Sequence, residues 1–435
     1  MRKTLIASLV LAAACINEES PDQVKDLRIL AMRLDPPELL FSFLHITDPA
    51  QRAGLTLGPY NMTAQVLAVD PQGREVTLTT RLCPEAAEEP CRGYRLRDNA
   101  PPDQINAVRP HLDLRTFVRS TDLSLGGELS VPSLSYTFTG PAVDYMVPHT
   151  PDGDLDFLGL LFPSMPYFVA HAYLPGTNED EIAIKRFQLS MDISPAGLPP
   201  EAREAVEQLF SGVVGMDFCP PETPLDADVQ CVKPRVANRN PTLARVLYRF
   251  GGGGDGPPGQ QEEGVDPADV TSGGTFQDFT GRLVVTAGEN LTIRPVVPAH
   301  DREPYQSFQF DSRTGKISVK NYKEDMAYSW FQTAGSIQQT TSEQNGFAAF
   351  TGRDAGFDAS LPDTTWQVSP DAPEGPAFVW VVVRDQRGGV DWRRLDFTVV
   401  QPTATPGGEG GGPFGGLFGG GGGGGGGGPF GGRGN

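Results

Sequence analysis

The sequence predicts a mainly β protein: two antiparallel β-sandwich domains, one short helix between them and a disordered Gly-rich C-terminal tail. Three observations carry this expectation. Apolar residues recur at alternate positions or in short β-branched runs through most of the 435 residues. The 52 Gly and 40 Pro favour turns, long loops and strands over long helices. The clearest helical periodicity is confined to residues 201–210. With 38% hydrophobic and 20% charged residues, the chain has enough apolar material for ordinary cores, and its length suits two or three domains.

Residues 1–14 read as a signal peptide. Met1-Arg2-Lys3 is basic, and residues 5–14 form an apolar run too short to span a bilayer. Leu11-Ala12-Ala13-Ala14-Cys15 then supplies small residues before a cleavage point. This run resembles a bacterial lipobox, with Ala12 where Leu is usual. The resemblance implies acylation of Cys15 (diacylglycerol, with chains such as palmitate) and attachment to a membrane through that lipid anchor. Each buried methylene would contribute about 0.8 kcal/mol, so several chains hold firmly. Ile16 follows Cys15 instead of Asp, which by the same resemblance implies the outer membrane, on its periplasmic or surface face. Ala12-x-Ala14 also fits an ordinary signal-peptidase site, which would leave Cys15 as a free N-terminal thiol. Parity favours the lipid. Five Cys is an odd number for an exported chain, and setting Cys15 aside leaves Cys83, Cys91, Cys219 and Cys231 to pair. Residues 15–26 then form a lipidated Cys and a short acidic tether.

Residues 27–195 are expected to form the first sandwich. Residues 63–69 are followed by Asp70-Pro71-Gln72-Gly73, a type I turn signature. Val76, Leu78, Thr80 and Leu82 then alternate with polar residues, and the two runs read as a hairpin. Residues 167–174 and 182–191 flank a Pro175-Gly176-Thr177-Asn178 turn, and the apolar phase slips at Lys185-Arg186, which predicts a bulge.

Residues 196–234 are expected to be a helix and Cys-loop connector. Ala202, Ala205, Val206, Leu209 and Phe210 share one helical face behind Pro199-Pro200. Sequential pairing, Cys83 with Cys91 and Cys219 with Cys231, would close two local loops in an oxidising compartment. A metal site on these cysteines is the alternative, but it lacks Cys-x-x-Cys spacing and neighbouring His.

Residues 235–401 are expected to form the second β domain. Leu283 to Val297 contains two strand-like runs broken at Gly288-Glu289-Asn290. The strongest unit is the run Phe378-Val379-Trp380-Val381-Val382-Val383, a Gly-rich turn through Gly388-Gly389, and a second strand to Val400. With Trp330 in a central strand, this stretch resembles bacterial immunoglobulin-like or PKD-like domains. It holds no Cys, so the antibody-type staple is absent, and Ser329-Trp330-Phe331-Gln332 stands where PKD domains carry Trp-Asp-Phe-Gly-Asp-Gly. The whole chain also resembles uncharacterised predicted lipoproteins of Gram-negative bacteria, which implies a location and no activity. Residues 402–435 are too poor in apolar area to offset their ordering entropy.

The net charge of −19 becomes −21 once Arg2 and Lys3 leave with the signal peptide. Such a surface repels phosphate backbones, so no nucleic-acid partner is expected. The five His (His45, His111, His149, His171 and His300) are scattered, and no Gly-x-Ser-x-Gly elbow occurs. The expected catalytic set is therefore empty. One ligand-like cluster stands out. Asp152, Asp154 and Asp156 alternate as at the start of calcium loops, but Phe157 and Pro163 stand where an EF-hand needs Gly and Glu. A surface turn is the plainer reading, and otherwise no cofactor is expected.

The expected function is a non-catalytic cell-envelope lipoprotein, a structural or protein-interaction module with an envelope protein partner. A glycan- or calcium-dependent adhesion module and an enzyme with a composite site are the alternatives. A calcium site predicts heat on titration with millimolar calcium, and no heat dismisses it.

Overall fold

A strand with one apolar face needs a second layer to cover it, and a strand apolar on both faces needs two. The computed structural model describes residues 22–42, 60–83, 116–120, 133–138, 161, 166–195, 200–251, 276–338, 341–343 and 363–402. In chain order, the first strands are β1 (Arg28–Asp35), β2 (Glu38–Ser42), β3 (Tyr60–Val69), β4 (Val76–Cys83), β5 (Thr116–Ser120), β6 (Ser133–Phe138), β7 (Tyr167–Tyr173), β8 (Asp180–Arg186) and β9 (Gln188–Asp192). Helix α1 (Pro200–Val214) follows. The remaining strands are β10 (Arg245–Phe250), β11 (Gln277–Asp278), β12 (Arg282–Thr286), β13 (Asn290–Val296), β14 (Pro304–Asp311), β15 (Lys316–Lys323), β16 (Ala327–Gln332), β17 (Ser336–Ile337), β18 (Thr341–Glu343), β19 (Thr364–Gln367), β20 (Gly375–Arg384) and β21 (Val390–Val400). Among the described residues the fold is mainly β with one short α-helix, as expected.

The first core lies between sheet β1-β3-β6 and sheet β5-β4-β7-β8. Met62, Ala64 and Val66 enter it from β3, and Val76, Leu78, Phe168 and Ala170 from the other wall. This corrects the expected β3–β4 hairpin. The turn forms, with Gly73 N–H donating to Asp70 O at 3.0 Å, but it carries the chain from one sheet to the other. Side by side in one sheet, the two strands would leave their shared core with a single wall. Arg74 holds the corner, donating to the Asp70 carboxylate at 2.9 and 3.0 Å and to both Glu179 oxygens at 2.8 Å.

The expected bulge at Lys185-Arg186 is also corrected. β7 and β8 form the predicted hairpin. At Phe187, whose side chain is buried, the chain leaves that sheet, and β9 pairs in parallel with β2. The apolar phase slips because the strand ends and a new one begins. Helix α1 runs one turn beyond the expected residues 201–210. Phe210 and Val214 anchor it in the first core, and it stops where Gly215 takes a positive φ of 74° and donates to Ser211 O.

The second core lies between sheets β11-β10-β13-β19-β17 and β12-β21-β20-β16-β18. Trp330, Trp366, Val379, Val381, Leu395 and Phe397 fill it, with the Trp366 and Phe397 rings 4.5 Å apart. The runs on either side of residues 288–290 become β12 and β13, which go to opposite sheets. The terminal hairpin β20–β21 forms as expected.

β20 is covered on both faces. Ala377, Val379, Val381 and Val383 face the second core. Phe378, Trp380 and Val382 face a third cluster with Val24, Leu30, Ala31, Leu67, Val69 and Val390. The outer face of β1 and β3 therefore packs on the outer face of β20, and the described residues up to Gln401 form one compact unit.

One turn in the second domain admits no side chain. Gly335 has a φ of 85°, and a Cβ there would lie 2.2 Å from Gln367 O. Gly335→Ala is expected to lower stability by roughly 1–3 kcal/mol, read as a shift in the urea midpoint. An unchanged midpoint would mean that this close approach relaxes without cost.

Candidate functional site

A charge removed from water needs a partner and hydrogen bonds, so buried ions gather in networks. Here the network sits where the two domains meet. Glu38, at the start of β2, is fully buried. Its carboxylate accepts from Arg235 Nε at 3.1 Å and Asn238 N at 2.7 Å, and it pairs with Arg387. Arg387, in the β20–β21 turn, also donates to Val236 O at 2.8 Å and Glu324 at 3.3 Å and lies 3.6 Å from Glu303. Asp385 accepts from the N–H groups of Arg387 and Gly389 at 2.8 and 2.7 Å and from Asn238 Nδ2 at 3.1 Å. Lys185 Nζ donates to Gly388 O at 2.6 Å.

Burial and like charge set the protonation of this seam. Burial pushes the Glu38 carboxyl up, but Arg235, Arg387 and the Asn238 N–H outweigh it and hold it below the usual carboxylate range. Burial, with Asp385 nearby, raises Glu324 to about 8 against the opposing pull of Arg387. Burial also raises Asp385 and Glu303. It lowers Lys185 to about 8, although Asp385 opposes it.

Beside the seam lies a cavity of about 620 Å³, including its open mouth. The connector forms one wall, the base of the β14–β15 hairpin another, and the end of β9 a third. The Cys219–Cys231 disulfide, which the sequence predicted, closes the connector loop. Cys231 O accepts from Gln306 Nε2 at 3.0 Å, and Lys233 Nζ donates to Leu225 O at 2.7 Å and Asn321 Oδ1 at 3.2 Å. Tyr305 stacks on Tyr322 with centroids 5.3 Å apart, and Arg387 lies over the Tyr305 ring at 5.3 Å.

The other predicted site residues lie apart from this place. Cys15, Cys91, Asp152, Asp154 and Asp156 fall outside the described residues. Cys83 ends β4, its backbone opposite Tyr167. His171 is half exposed at 3.0 Å from Asp180, and His300 is exposed beside Asp301. Among the described residues, no group of three His, Cys, Asp or Glu could hold a metal ion. No described helix is long and apolar enough to cross a membrane. Sequence reasoning passed over Glu38, Arg235, Asn238, Glu324, Asp385 and Arg387. Its one available signal was Glu38 itself, an acid heading the apolar run Leu39-Leu40-Phe41.

No known protein family matches the chain, and no curated protein matches it. Among solved structures, it is similar to dimeric latent PorU from Porphyromonas gingivalis, at 10% identity and a TM-score of 0.15, covering 88% of this chain and 24% of that one. Red sea bream transglutaminase is similar at 9% identity and a TM-score of 0.18, covering 87% of this chain and 32% of that one. Immunoglobulin domains 1–4 of Sidekick-1 are similar at 9% identity and a TM-score of 0.14, covering 88% of this chain and 51% of that one. The chain thus spans only a part of each. The assignment as a β-sandwich module rests on its own sheets and cores.

The seam makes stability depend on pH. Unfolded, Glu324 loses its proton near its ordinary value of 4.5; folded, it keeps it to about pH 8. The folded chain binds the extra proton across that window, so stability falls as pH rises through it. Lys185 acts oppositely, because between about pH 8 and its ordinary 10.5 the unfolded chain holds the extra proton and stability rises with pH. The urea midpoint is expected to drop between pH 5 and 8, and Glu324→Gln should flatten that drop. An equally steep drop in the variant would assign it to other groups.

Proposed function

We propose that this chain is a lipid-anchored, non-catalytic module of a bacterial cell envelope, holding a rigid double sandwich close to the membrane for a protein partner. The observation that carries this reading is how close to Cys15 the described chain is tied to a strand. Gln332 N–H donates to Asp22 O at 2.9 Å and Val24 N–H donates to Gln332 O at 2.8 Å, so the chain is bonded to β16 from Asp22 onward. Asp22 is seven residues beyond Cys15. At roughly 3.3–3.6 Å per extended residue, seven residues reach about 25 Å at most. A lipid on Cys15 would therefore hold Asp22 within about 25 Å of the bilayer.

Two further features support a spacer or docking role. The domains share β20 as a common layer, so they move as one piece, and sandwich domains present their loops at their ends for contact. Ile16 after Cys15 favours the outer membrane.

Mass spectrometry of the mature N-terminus tests the anchor. Acylated Cys15 is the expected species, and Cys15→Ser should move the protein from the membrane fraction to the soluble one. A mature chain starting at Ile16, or a bare Cys15 thiol, would overturn the anchored reading and leave a secreted β protein.

A further inference from the structure

The cavity beside the seam has a chemical character opposite to that of the chain. The chain carries 54 acidic and 35 basic residues. Of the 14 described residues lining the cavity, three are cationic (Lys233, Arg235 and Arg387) and none is acidic. Apolar side chains supply most of the rest, including Met191, Ile193, Val232 and Phe308. Leu225 and Val236, which are 40% and 39% exposed, also line it and leave apolar surface open to water.

The three cations differ in what they have left to give. Lys233 spends its ammonium on Leu225 O, Ala227 O and Asn321 Oδ1. Arg387 spends its guanidinium on Glu38, Glu324 and Val236 O. Arg235 gives only Nε to Glu38, at 3.1 Å. Its two terminal nitrogens donate no hydrogen bond among the described residues, and its side chain is 21% exposed where Arg387 is 5%. The acidic groups that act on Arg235 are Glu38 and Asp192. Asp192 Oδ1 already accepts from the Ser194 N–H at 3.0 Å. Arg235 lines this apolar cavity, whose described lining holds no carboxylate, and its terminal nitrogens are the donors it has left.

We propose that this cavity binds an apolar molecule ending in a carboxylate. The head meets the terminal nitrogens of Arg235, whose planar fork matches the two oxygens of a carboxylate. The apolar body lies along Met191, Ile193, Val232 and Phe308, and its burial supplies most of the affinity. With the Lys233 ammonium and both terminal nitrogens of Arg387 already engaged, the site takes one anionic head and not a polyanion. This inference stands independently of the lipid anchor.

The test titrates decanoate into the full-length protein by calorimetry, with decanol as the uncharged control. Saturable binding of one decanoate per chain is expected, at least tenfold tighter than decanol. Arg235→Gln should abolish that preference. Because Arg235 also neutralises buried Glu38, a second variant covers the case in which Arg235→Gln fails to fold. The double change Leu225→Asp and Val236→Asp places negative charge on exposed rim positions and should weaken decanoate at least tenfold with the circular dichroism of the fold retained. No saturable heat with decanoate, equal affinity for decanol, or unaltered binding by the rim variant would each overturn the proposal. Cys15→Ser is expected to bind decanoate as the parent does, so loss of the anchor and loss of the site read out separately.

Discussion

The rest of the structure depends on the burial of β20 from both sides. One row of its side chains fills the second core, and the other row, with Trp380 at its centre, is covered by β1 and β3. An aromatic side chain buries roughly 150–250 Å², which at about 25 cal/mol per Å² is on the order of 4–6 kcal/mol before entropy is charged against it. Exposed, that row would be a strip of Phe378, Trp380 and Val382 open to water, a surface that soluble proteins seldom leave bare. The second domain therefore needs the first as a lid, and the junction is as much a core as the two cores beside it.

The charged seam completes what the apolar junction begins. Apolar contact fixes that the domains meet and says little about their register. Glu38 supplies register, because it gathers hydrogen bonds from the connector and from the β20–β21 turn at one carboxylate. Such a network contributes little net stability beyond what well-packed apolar residues of the same size would give, yet removal of one member strands its partners in a dry site. Its value lies in the single arrangement it permits. The same arrangement leaves Arg235 half spent, and that residue gives the neighbouring cavity its chemistry.

Much of the fold was legible in local pattern. Strand pairs joined by short turns, such as β7–β8 and β20–β21, follow from apolar runs and turn formers a few residues apart. The misreadings share one cause. The β3–β4 corner and the break at Phe187 both look continuous along the chain, and only the demand of a distant sheet redirects them. The junction itself left a trace that the hairpin reading passed over. Phe378 to Val383 is apolar at every position, where a strand with one wet face would alternate. The site was the least legible part. Glu38 and Arg387 are 349 residues apart, and alone they look like a polar residue heading a strand and a polar residue in a turn.

The disulfide between Cys219 and Cys231 has a consequence for when the cavity exists. It closes a loop that carries Leu225 to the cavity mouth and ends beside Lys233 and Arg235. A chain with both thiols reduced keeps the sequence of that wall without the covalent latch that holds it shut. The cavity wall is in this sense held by a covalent bond as well as by packing. Loss of the bond would leave that wall to hydrogen bonds such as those of Lys233 and Gln306.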